Sequence, residues 1–325
     1  MSPEFYDLSR LFALRDRLQS LDSAAPPMAC LLSAPLHPPP QRLGILCGSF
    51  NPLTLAHAAL AQHACRAFHL DQLLYTVAKV TVDKEQVTGM SLEDRLLVLL
   101  LHAQQQQHLG VALVNRGLYF EQAQAFQALF DRQIGLFFIV GMDKLVQILD
   151  ARYYRDRETA LDQLFALTSL VVANRGDMAQ RAFDELLQRP DNQPYRDAIH
   201  FLPLPESVAD LSSTVIRRTV SEAENLSAHV PAEVARFLIE ARPYAAPGSQ
   251  TEDGQGDEID AYAVRLALFE RLASVRDWAE QHVDFQQLLS QARASDPHGQ
   301  ALRDALTGRA LQALIRGGPR RRRME

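Results

Sequence analysis

The stretch that most constrains the fold runs from Arg42 to His57 and reads RLGILCGSFNPLTLAH. Its beginning, Arg42 to Cys47, is an apolar run of the type that a parallel sheet buries on both faces. The run ends at Gly48-Ser49, where the glycine lets the backbone come close to a ligand. Pro52 has no amide hydrogen and suits the first turn of a helix. We therefore predict a buried strand, a glycine turn and the start of a helix.

Thr54 and His57 are three residues apart, so both side chains lie on one face of the predicted helix start. We expect them to lie beside free amides, since the first amides of a helix have no partner within it. The helix dipole adds partial positive charge, and such a helix start binds phosphate groups. The residues alone also permit a plainer interpretation, in which Thr54 only caps the helix and His57 is solvated or lies in the core.

Length and composition limit the class of protein. A chain of 325 residues with 47% hydrophobic content can bury a large core, as one enlarged α/β domain or as two domains. The net charge of −6 does not indicate general affinity for nucleic acids or membranes. We find no apolar run near the about 18 residues of a membrane helix and no signal-peptide core, so we expect a cytoplasmic protein. The cysteines, Cys30, Cys47 and Cys65, lack paired spacing, and neither disulfides nor a structural zinc site is expected.

Proline clusters and changes of composition divide the chain into four parts. Residues 1–40 are predicted to form an amphipathic helix over residues 3–21 and a Pro-rich connector over residues 22–40. Residues 41–244 form the main domain, and the acidic, Gly-containing residues 245–260 form a flexible linker. Residues 261–325 form a helical C-terminal extension that ends in a basic tail. The sequence leaves open whether this extension packs on the main domain, joins subunits of a homo-oligomer or binds a partner.

Short apolar runs alternate with helical patterns through the main domain. The predicted strands are Arg42–Cys47, Leu73–Val77, Val111–Val114, Gly135–Val140, Leu170–Ala173 and Ile199–Leu202. This alternation predicts an α/β fold, a Rossmann-like doubly wound parallel sheet with helices on both faces. Such sheets bind ligands beyond the carboxyl ends of their strands, where the chain order reverses. The residues expected to line that crevice are Gly48, Asn115, Arg116, Gly141, Met142, Asp143, Asn174 and Arg175.

A second phosphate-type pattern lies at Leu211–Arg217, which reads LSSTVIR. Ser213 and Thr214 suit a capped helix start, and Arg217 follows one turn inside it. Hydroxyls, free amides and a guanidinium group can all bind phosphate oxygens, although Ser-Ser-Thr alone is often only a cap. Together with the first helix start, this pattern is predicted to bracket a triphosphate.

The string Gly-Ser-Phe-Asn-Pro-x-Thr-x-x-His at 48–57, with the later Ser-Ser-Thr-x-Ile-Arg at 212–217, resembles the nicotinamide or nicotinate mononucleotide adenylyltransferases of the nucleotidylyltransferase superfamily. The resemblance covers roughly residues 42–244, so residues 41–244 would be the nucleotidylyltransferase domain. It implies that ATP and a pyridine mononucleotide are joined in NAD biosynthesis, with release of pyrophosphate. It also implies Mg²⁺ carried with ATP and no metal-binding residues of the protein's own.

The resemblance assigns roles residue by residue. The ATP-binding residues would be Gly48, Ser49, Phe50, Thr54, His57, Gly141, Asp143, Ser213, Thr214 and Arg217, of which His57 and Arg217 would be catalytic. The mononucleotide-binding residues would be Asn51, Lys84, Arg95, Tyr119, Tyr153 and Tyr154. Plainer interpretations are a solvated Lys84, an N-cap role for Asp143 and tyrosines that only cover the core.

Three departures from the family pattern affect these roles. The family's stacking tryptophan has no counterpart, since Trp278 lies outside the matched region, and Tyr153 or Tyr154 would take its place. Thr54 stands where many bacterial members have histidine, a form that resembles eukaryotic-type enzymes that accept the nicotinamide nucleotide. Phe120 stands where a threonine is common, which leaves the contacts to the pyridine ring open.

The implied reaction does not require a general base. A phosphate monoester is largely a dianion at neutral pH, so it can attack the α-phosphorus of ATP directly. A helix N-terminus lowers the pKa of His57, which would then donate a hydrogen bond as a neutral ring. The competing interpretations are a phosphopantetheine-type nucleotidylyltransferase and a non-catalytic nucleotide-binding regulator. An aminoacyl-tRNA synthetase is disfavoured because we find no Lys-Met-Ser-Lys-Ser-like loop.

Overall fold

The computed structural model describes residues 3–33, 39–80, 89–130, 134–174, 176–204, 223–244 and 260–306. Internal contacts divide the chain into a unit of residues 15–235, called the sheet unit here, and a helical unit of residues 1–14 and 236–325. This division does not coincide with the predicted boundaries at residues 40 and 244, which stay predictions. The predicted linker at 245–260 lies outside the described residues except for Asp260.

The sheet unit is built on a seven-stranded sheet. Its strands are β1 (Ala29–Leu31), β2 (Arg42–Cys47), β3 (Gln72–Ala78), β4 (Leu109–Val114), β5 (Gly135–Gly141), β6 (Thr168–Asn174) and β7 (Ile199–Pro203). Their order is β1-β4-β3-β2-β5-β6-β7, and all neighbours are parallel except β1, which pairs antiparallel with β4. The predicted doubly wound parallel sheet is confirmed, with each of the six predicted strands in place.

The short strand β1 was missed, because residues 22–40 were predicted to be a connector without regular structure. It has three residues, all of them partly buried, and it pairs with the described chain only through β4. A strand of this length shows no alternation of apolar and polar residues, so its sequence resembles a loop. The prediction for residues 29–31 was therefore wrong, and the reason is that one long-range pairing creates this strand.

The chain order reverses between β2 and β5, which lie side by side in the sheet. From β2 the chain adds β3 and then β4 on one side, whereas β5, β6 and β7 follow on the other. The register pairs Leu46 with Ile139, so the ends of the two strands bring Gly48 and Gly141 next to each other. This reversal is the position at which doubly wound sheets bind their ligands.

Among the described residues, seven helices connect or precede the strands of the sheet. They are α1 (Leu8–Ser20), α2 (Leu55–Ala67), α3 (Leu92–Ala103), α4 (Tyr119–Phe130), α5 (Met142–Leu149), α6 (Arg157–Leu167) and α7 (Gly176–Gln188). Short 3₁₀ helices lie at Pro3–Phe5, Ala151–Tyr153, Gln193–Ala198 and Ala223–Ala228. The helix start predicted at Leu211–Arg217 lies outside the described residues.

The strands are buried on both faces, which accounts for their continuous apolar sequences. All six positions of β4 are buried, as are six of the seven positions of β3. Parallel sheets covered by helices on both faces have this composition, whereas half-exposed strands alternate. The largest fully buried side chains of the sheet unit include Tyr75 on β3 and Phe138 on β5.

The described helices of the helical unit, besides part of α1, are Ala232–Ala241, which begins in the sheet unit, and then Ala261–Ala273, Arg276–His282, Phe285–Ala292 and Pro297–Leu306. The sequence predicted helical structure over residues 261–289 and a last helix over residues 302–315. The structure divides the first region into three helices, and it shows the last helix from Pro297 to Leu306, where the described residues end. None of the described helices is long and apolar enough to cross a membrane.

A buried arginine organises the helical unit. Arg265 is 2% exposed and donates a hydrogen bond of 2.9 Å to the carbonyl of Phe5. Its guanidinium carbon lies 5.5–5.7 Å from the ring centroids of Tyr6, Phe237 and Phe285. Cation–π contacts of this kind partly replace the lost hydration of a buried cation. Arg265 therefore joins the beginning of the chain to helices near its end.

Candidate functional site

The first turn of α2 contains a reciprocal cap formed by Thr54 and His57. The Thr54 hydroxyl accepts a hydrogen bond from the His57 amide at 3.3 Å, and His57 Nδ1 accepts one from the Thr54 amide at 3.1 Å. Thr54 Oγ1 also lies 2.8 Å from Nδ1. Thr54 has extended φ and ψ angles, as N-cap residues do, and its side chain is fully buried. The interpretation of Thr54 as a cap is confirmed.

This cap determines which nitrogen of His57 carries the proton. Because Nδ1 accepts the Thr54 amide hydrogen, the neutral ring must have its proton on Nε2. Burial lowers the pKa of His57 from its ordinary value of 6.5 to about 4. The sequence predicted this direction but assigned it to the helix dipole, whereas burial is the cause here. At neutral pH the ring is therefore an uncharged hydrogen-bond donor at Nε2.

The amides of this first turn are less open to a ligand than the sequence predicted. The Leu55 amide donates to the carbonyl of His229 at 2.8 Å, and the His57 amide is occupied by the Thr54 hydroxyl. The expectation of free amides was therefore wrong for these two groups. In addition, α2 begins at Leu55, so Pro52 precedes the cap and does not lie in the first turn.

Phe50 packs between the glycine turn and His57. Its ring meets the ring of His57 edge-on at a centroid distance of 5.3 Å, and that of Tyr75 at 5.4 Å. A Cβ atom at Gly48 would lie 3.0 Å from the Phe50 ring, so any larger residue there would force the ring to shift. Phe50 has φ of 43°, a left-handed conformation that costs energy for a residue with a side chain. The turn is therefore held in one conformation by packing.

Two residues predicted to bind the mononucleotide hold the glycine turn. Arg95, on α3 and 7% exposed, donates a hydrogen bond of 3.1 Å from its guanidinium group to the carbonyl of Ser49. The Asn51 side chain is buried and accepts a hydrogen bond of 3.1 Å from the Met90 amide, next to α3. These contacts tie the turn to α3, and binding of the mononucleotide by either residue stays a prediction.

The second half of the reversal point is formed by the end of β5 and the start of α5. Gly141 is the N-cap of α5 and is exposed, and a methyl group there would meet no described atom within 4 Å. Asp143 is exposed in the first turn of α5, two residues after the cap, so its interpretation as the N-cap was wrong. The predicted contacts of Gly141 and Asp143 with ATP stay predictions.

Asn115, at the end of β4, does not line a ligand crevice as expected. It is fully buried, its Oδ1 accepts from the Met28 amide at 2.7 Å, and its Nδ2 donates to the carbonyls of Asp22 and Pro26 at 2.8 and 2.9 Å. Arg116 likewise donates to the carbonyl of Ala25 at 2.7 Å. Both side chains attach residues 22–28 to the end of β4, and no local sequence pattern indicated this role.

Gln122, on α4, is a further residue that the sequence analysis missed. Its amide nitrogen donates to the carbonyls of Arg116 and Gly117 at 3.2 and 3.1 Å, and its oxygen accepts from the Cys47 thiol at 3.0 Å. It therefore connects the end of β2 with the segment after β4. Burial raises the pKa of the Cys47 thiol, so this group remains protonated as a donor. A polar residue in the otherwise apolar face of α4 was the available signal.

The three predicted tyrosines have different surroundings. Tyr119 is buried and meets the ring of Phe138 edge-on at 5.2 Å, and burial raises its pKa well above the ordinary value. The Tyr154 hydroxyl donates to the carbonyl of Ile148 at 2.7 Å, whereas Tyr153 is partly exposed with the Arg152 guanidinium 5.9 Å from its ring centroid. Tyr119 is thus a core residue, and stacking of a pyridine ring on Tyr153 or Tyr154 stays a prediction.

Several predicted residues lie outside the described residues. These are Lys84, Arg175, Ser213, Thr214 and Arg217, together with the side chain of Asn174. The prediction that His57 and Arg217 bracket a triphosphate is therefore untested. Within the described ranges, no group of three or more His, Cys, Asp or Glu side chains is arranged to hold a metal ion.

The cytidylyltransferase-like family model matches residues 45–219, which is more than half of the chain. The chain therefore belongs to the cytidylyltransferase-like family. The matched residues include the glycine turn, the capped start of α2 and the Ser-Ser-Thr-x-Ile-Arg segment.

Curated relatives carry more specific names. A protein of Carboxydothermus hydrogenoformans named "Probable nicotinate-nucleotide adenylyltransferase" is 27% identical over 203 residues, covering 61% of this chain and 95% of the relative. A protein of Desulfatibacillum aliphaticivorans with the same name is 25% identical over 215 residues, covering 61% and 96%. The solved structure of Plasmodium falciparum nicotinic acid mononucleotide adenylyltransferase complexed with NaAD has a TM-score of 0.46 at 14% identity, covering 63% of this chain and 97% of that chain.

Proposed function

We propose that this protein is a pyridine mononucleotide adenylyltransferase, which joins ATP and nicotinate or nicotinamide mononucleotide to form the dinucleotide and pyrophosphate. The observation that carries the proposal is the placement of His57. A neutral imidazole with its proton on Nε2 stands at the start of α2, beside the glycine turn and at the reversal point of the sheet. The match covers nearly the whole length of these relatives, and their names support the same activity.

In this proposal, catalysis rests on alignment and charge stabilisation. The mononucleotide phosphate, already a dianion, attacks the α-phosphorus of ATP, the new P–O bond forms, and the bond to pyrophosphate breaks. Negative charge develops on the phosphate oxygens during this step. Nε2–H of His57 donates a hydrogen bond to one of them, and Arg217 supplies a cation from the second phosphate-type segment. A donor held in place before the reaction is more effective than water, because it needs no reorientation.

ATP would enter as its magnesium complex, in which the metal neutralises part of the triphosphate charge. Since Mg²⁺ binds mainly to phosphates and water, the protein need not provide a separate set of ligands for it. Gly48 and Gly141 contribute by leaving backbone close to the ligand, and Arg95 and Asn51 contribute by fixing the glycine turn.

The direct test measures dinucleotide and pyrophosphate with the purified full-length chain, ATP, Mg²⁺ and each mononucleotide separately. We expect turnover with at least one mononucleotide and a loss of about 10²-fold in kcat for His57→Ala, the typical cost of one transition-state donor. His63→Ala, in the same helix, is the matched control and should keep the wild-type rate. Binding of ATP without any dinucleotide would instead identify a non-catalytic nucleotide-binding regulator.

The same assay chooses between the two mononucleotides. The relatives' names favour nicotinate, while the resemblance of the Thr54 form to enzymes that accept the nicotinamide nucleotide favours nicotinamide. The two substrates differ in a carboxylate against an uncharged amide. If kcat/KM for one mononucleotide exceeds kcat/KM for the other by more than about 100-fold, the difference corresponds to nearly 3 kcal/mol. A difference of that size would mean that the protein contacts the carboxylate or the amide directly.

A further inference from the structure

A buried polar pair in the sheet unit is not explained by the residue roles given above. His102 lies in the last turn of α3, and Glu233 lies in the first turn of the helix Ala232–Ala241. His102 Nδ1 and Glu233 Oε1 are in direct hydrogen-bond contact, and the two residues are 5% and 9% exposed. Removing a carboxylate and an imidazole from water is costly, and an apolar pair could fill the same space at lower cost. Packing alone therefore does not account for the pair.

One route of contacts leads from His102 to the candidate site. The ring of His102 lies 5.9 Å from that of Tyr75, which is fully buried on β3. Tyr75 meets the edge of Phe50, and Phe50 in turn meets His57. These are contiguous ring contacts, so a change in the orientation of His102 moves the surface on which Phe50 rests. Phe50, whose own backbone is left-handed, packs directly against Gly48 of the glycine turn.

A second route leads from Glu233 to the same helix start through the backbone. His229, four residues before Glu233, accepts the hydrogen bond of the Leu55 amide. Leu55 is the first residue of α2, next to the cap formed by Thr54 and His57. The short segment 229–233 therefore contacts α2 through the His229 carbonyl and contacts α3 through the Glu233 carboxylate.

Among the described residues, Glu233 is the only hydrogen-bond partner of the His102 ring. Within the part of the chain that the structure describes, His102 Nε2 and the Tyr75 hydroxyl have no hydrogen-bond partner. Glu233 is also well placed as an anion, since carboxylates are stabilised in the first turn of a helix. Loss of the carboxylate would thus leave the imidazole without its hydrogen-bond partner and remove this tie between α3 and the segment 229–233.

We propose that His102 and Glu233 are positioning residues that fix the first turn of α2, and with it His57, for binding the ATP phosphates. This inference rests on the proposed function. The pair does not touch the reacting atoms in this proposal. It acts on one side through Tyr75 and Phe50 and on the other through the carbonyl of His229.

The test compares variants of the full-length chain by ATP binding in calorimetry, by kcat and KM, and by thermal unfolding. Glu233→Ala breaks the pair, and Glu233→Gln keeps an acceptor for His102. The double variant His102→Leu/Glu233→Met replaces the pair with apolar side chains, a change that often preserves or raises stability. Glu93→Ala is the control on α3, because it breaks the ion pair of 3.0 Å between Glu93 and Arg15.

We expect Glu233→Ala and the double variant to weaken ATP binding by at least 10-fold and to raise the KM for ATP by a similar factor. Glu233→Gln should stay within about 3-fold of wild type, and Glu93→Ala should bind ATP normally. The double variant is decisive. If the pair had only a structural role, a double variant with wild-type thermal stability would also have wild-type ATP affinity. Wild-type ATP affinity in a stably folded double variant would therefore overturn this inference but leave the proposed function in place. Absence of ATP binding by the wild-type chain would overturn the proposed function and this inference with it.

Discussion

Protonation of His57 should oppose folding of the sheet unit. In the folded chain Nδ1 accepts the Thr54 amide hydrogen, so a proton on Nδ1 would place two N–H groups against each other. Burial also disfavours the charged ring, and together these conditions agree with a pKa lowered from 6.5 to about 4. A lowered histidine pKa means that the unfolded chain binds the proton more tightly. The free energy of unfolding should therefore fall as the pH decreases from about 7 to 4.

The size of this effect follows from the difference in pKa. A difference of about 2.5 pKa units corresponds to a full loss of about 3 kcal/mol below pH 4. At pH 5 the unfolded chain is almost fully protonated at this residue while the folded chain is almost fully neutral. The expected contribution of His57 between pH 8 and pH 5 is then a loss of about 2 kcal/mol.

The measurement compares wild type with His57→Asn in urea at pH 8 and pH 5. Asparagine offers an oxygen that can accept from the Thr54 amide but does not titrate, so the variant should lose about 2 kcal/mol less than wild type. His63→Asn, in the same helix, is the control. Far-UV circular dichroism follows both units, whereas fluorescence of Trp278, the only tryptophan, reports on the helical unit and separates its transition. Equal losses in wild type and His57→Asn, with a His57 pKa near 6.5 in an NMR titration, would refute the reasoning.

Three further predictions concern other parts of the chain. Gly299→Ala places a Cβ atom 2.2 Å from the Ala294 carbonyl oxygen, so the free energy of unfolding of the helical unit should fall by about 3 kcal/mol. Urea unfolding followed by Trp278 fluorescence measures this change, and an unchanged midpoint would contradict the packing. Asn115→Ala should cost about 1–3 kcal/mol and increase amide exchange in residues 22–28, because the Asp22 and Pro26 carbonyls lose their donor and the Met28 amide loses its acceptor. Cys47 should react with iodoacetamide much more slowly in the folded chain than in urea, since burial raises the pKa of its thiol. Mass spectrometry measures both rates, and equal rates would show that the thiol is not buried.

The elements that the sequence predicted well are those whose surroundings impose a local pattern. Strands β2 to β7 lie in a sheet covered on both faces, so each reads as a continuous apolar run with turn residues after it. The cap of α2 was also visible, because Thr54 and His57 interact across three residues. By contrast, β1 depends on one antiparallel pairing with β4, and a three-residue strand leaves no periodicity.

The polar contacts that hold the site were harder to predict because their partners are distant in sequence. Glu233 lies 131 residues from His102, and Asn115 lies 87 residues from Met28. Each side chain alone is an ordinary polar residue in a helix or at a strand end. Their roles arise only when the sheet brings the partners together, so no motif marks them. Resemblance to a family likewise assigned Arg95 to the mononucleotide, and its contact with the Ser49 carbonyl became visible only in the structure.

The cap of α2 also connects the stability of the site with its proposed chemistry. Nδ1 of His57 can complete the cap only while it is unprotonated, and that condition leaves the proton of the neutral ring on Nε2, where the proposal places phosphate. Folding and hydrogen-bond donation therefore require the same protonation state of one ring. His57→Asn should separate the two functions, because it keeps an acceptor for Thr54 but has no equivalent of Nε2. At pH 8 we expect this variant to unfold at nearly the wild-type urea concentration, while its kcat falls as far as that of His57→Ala. A variant that is stable and fully active would show that the Nε2 donor is not used.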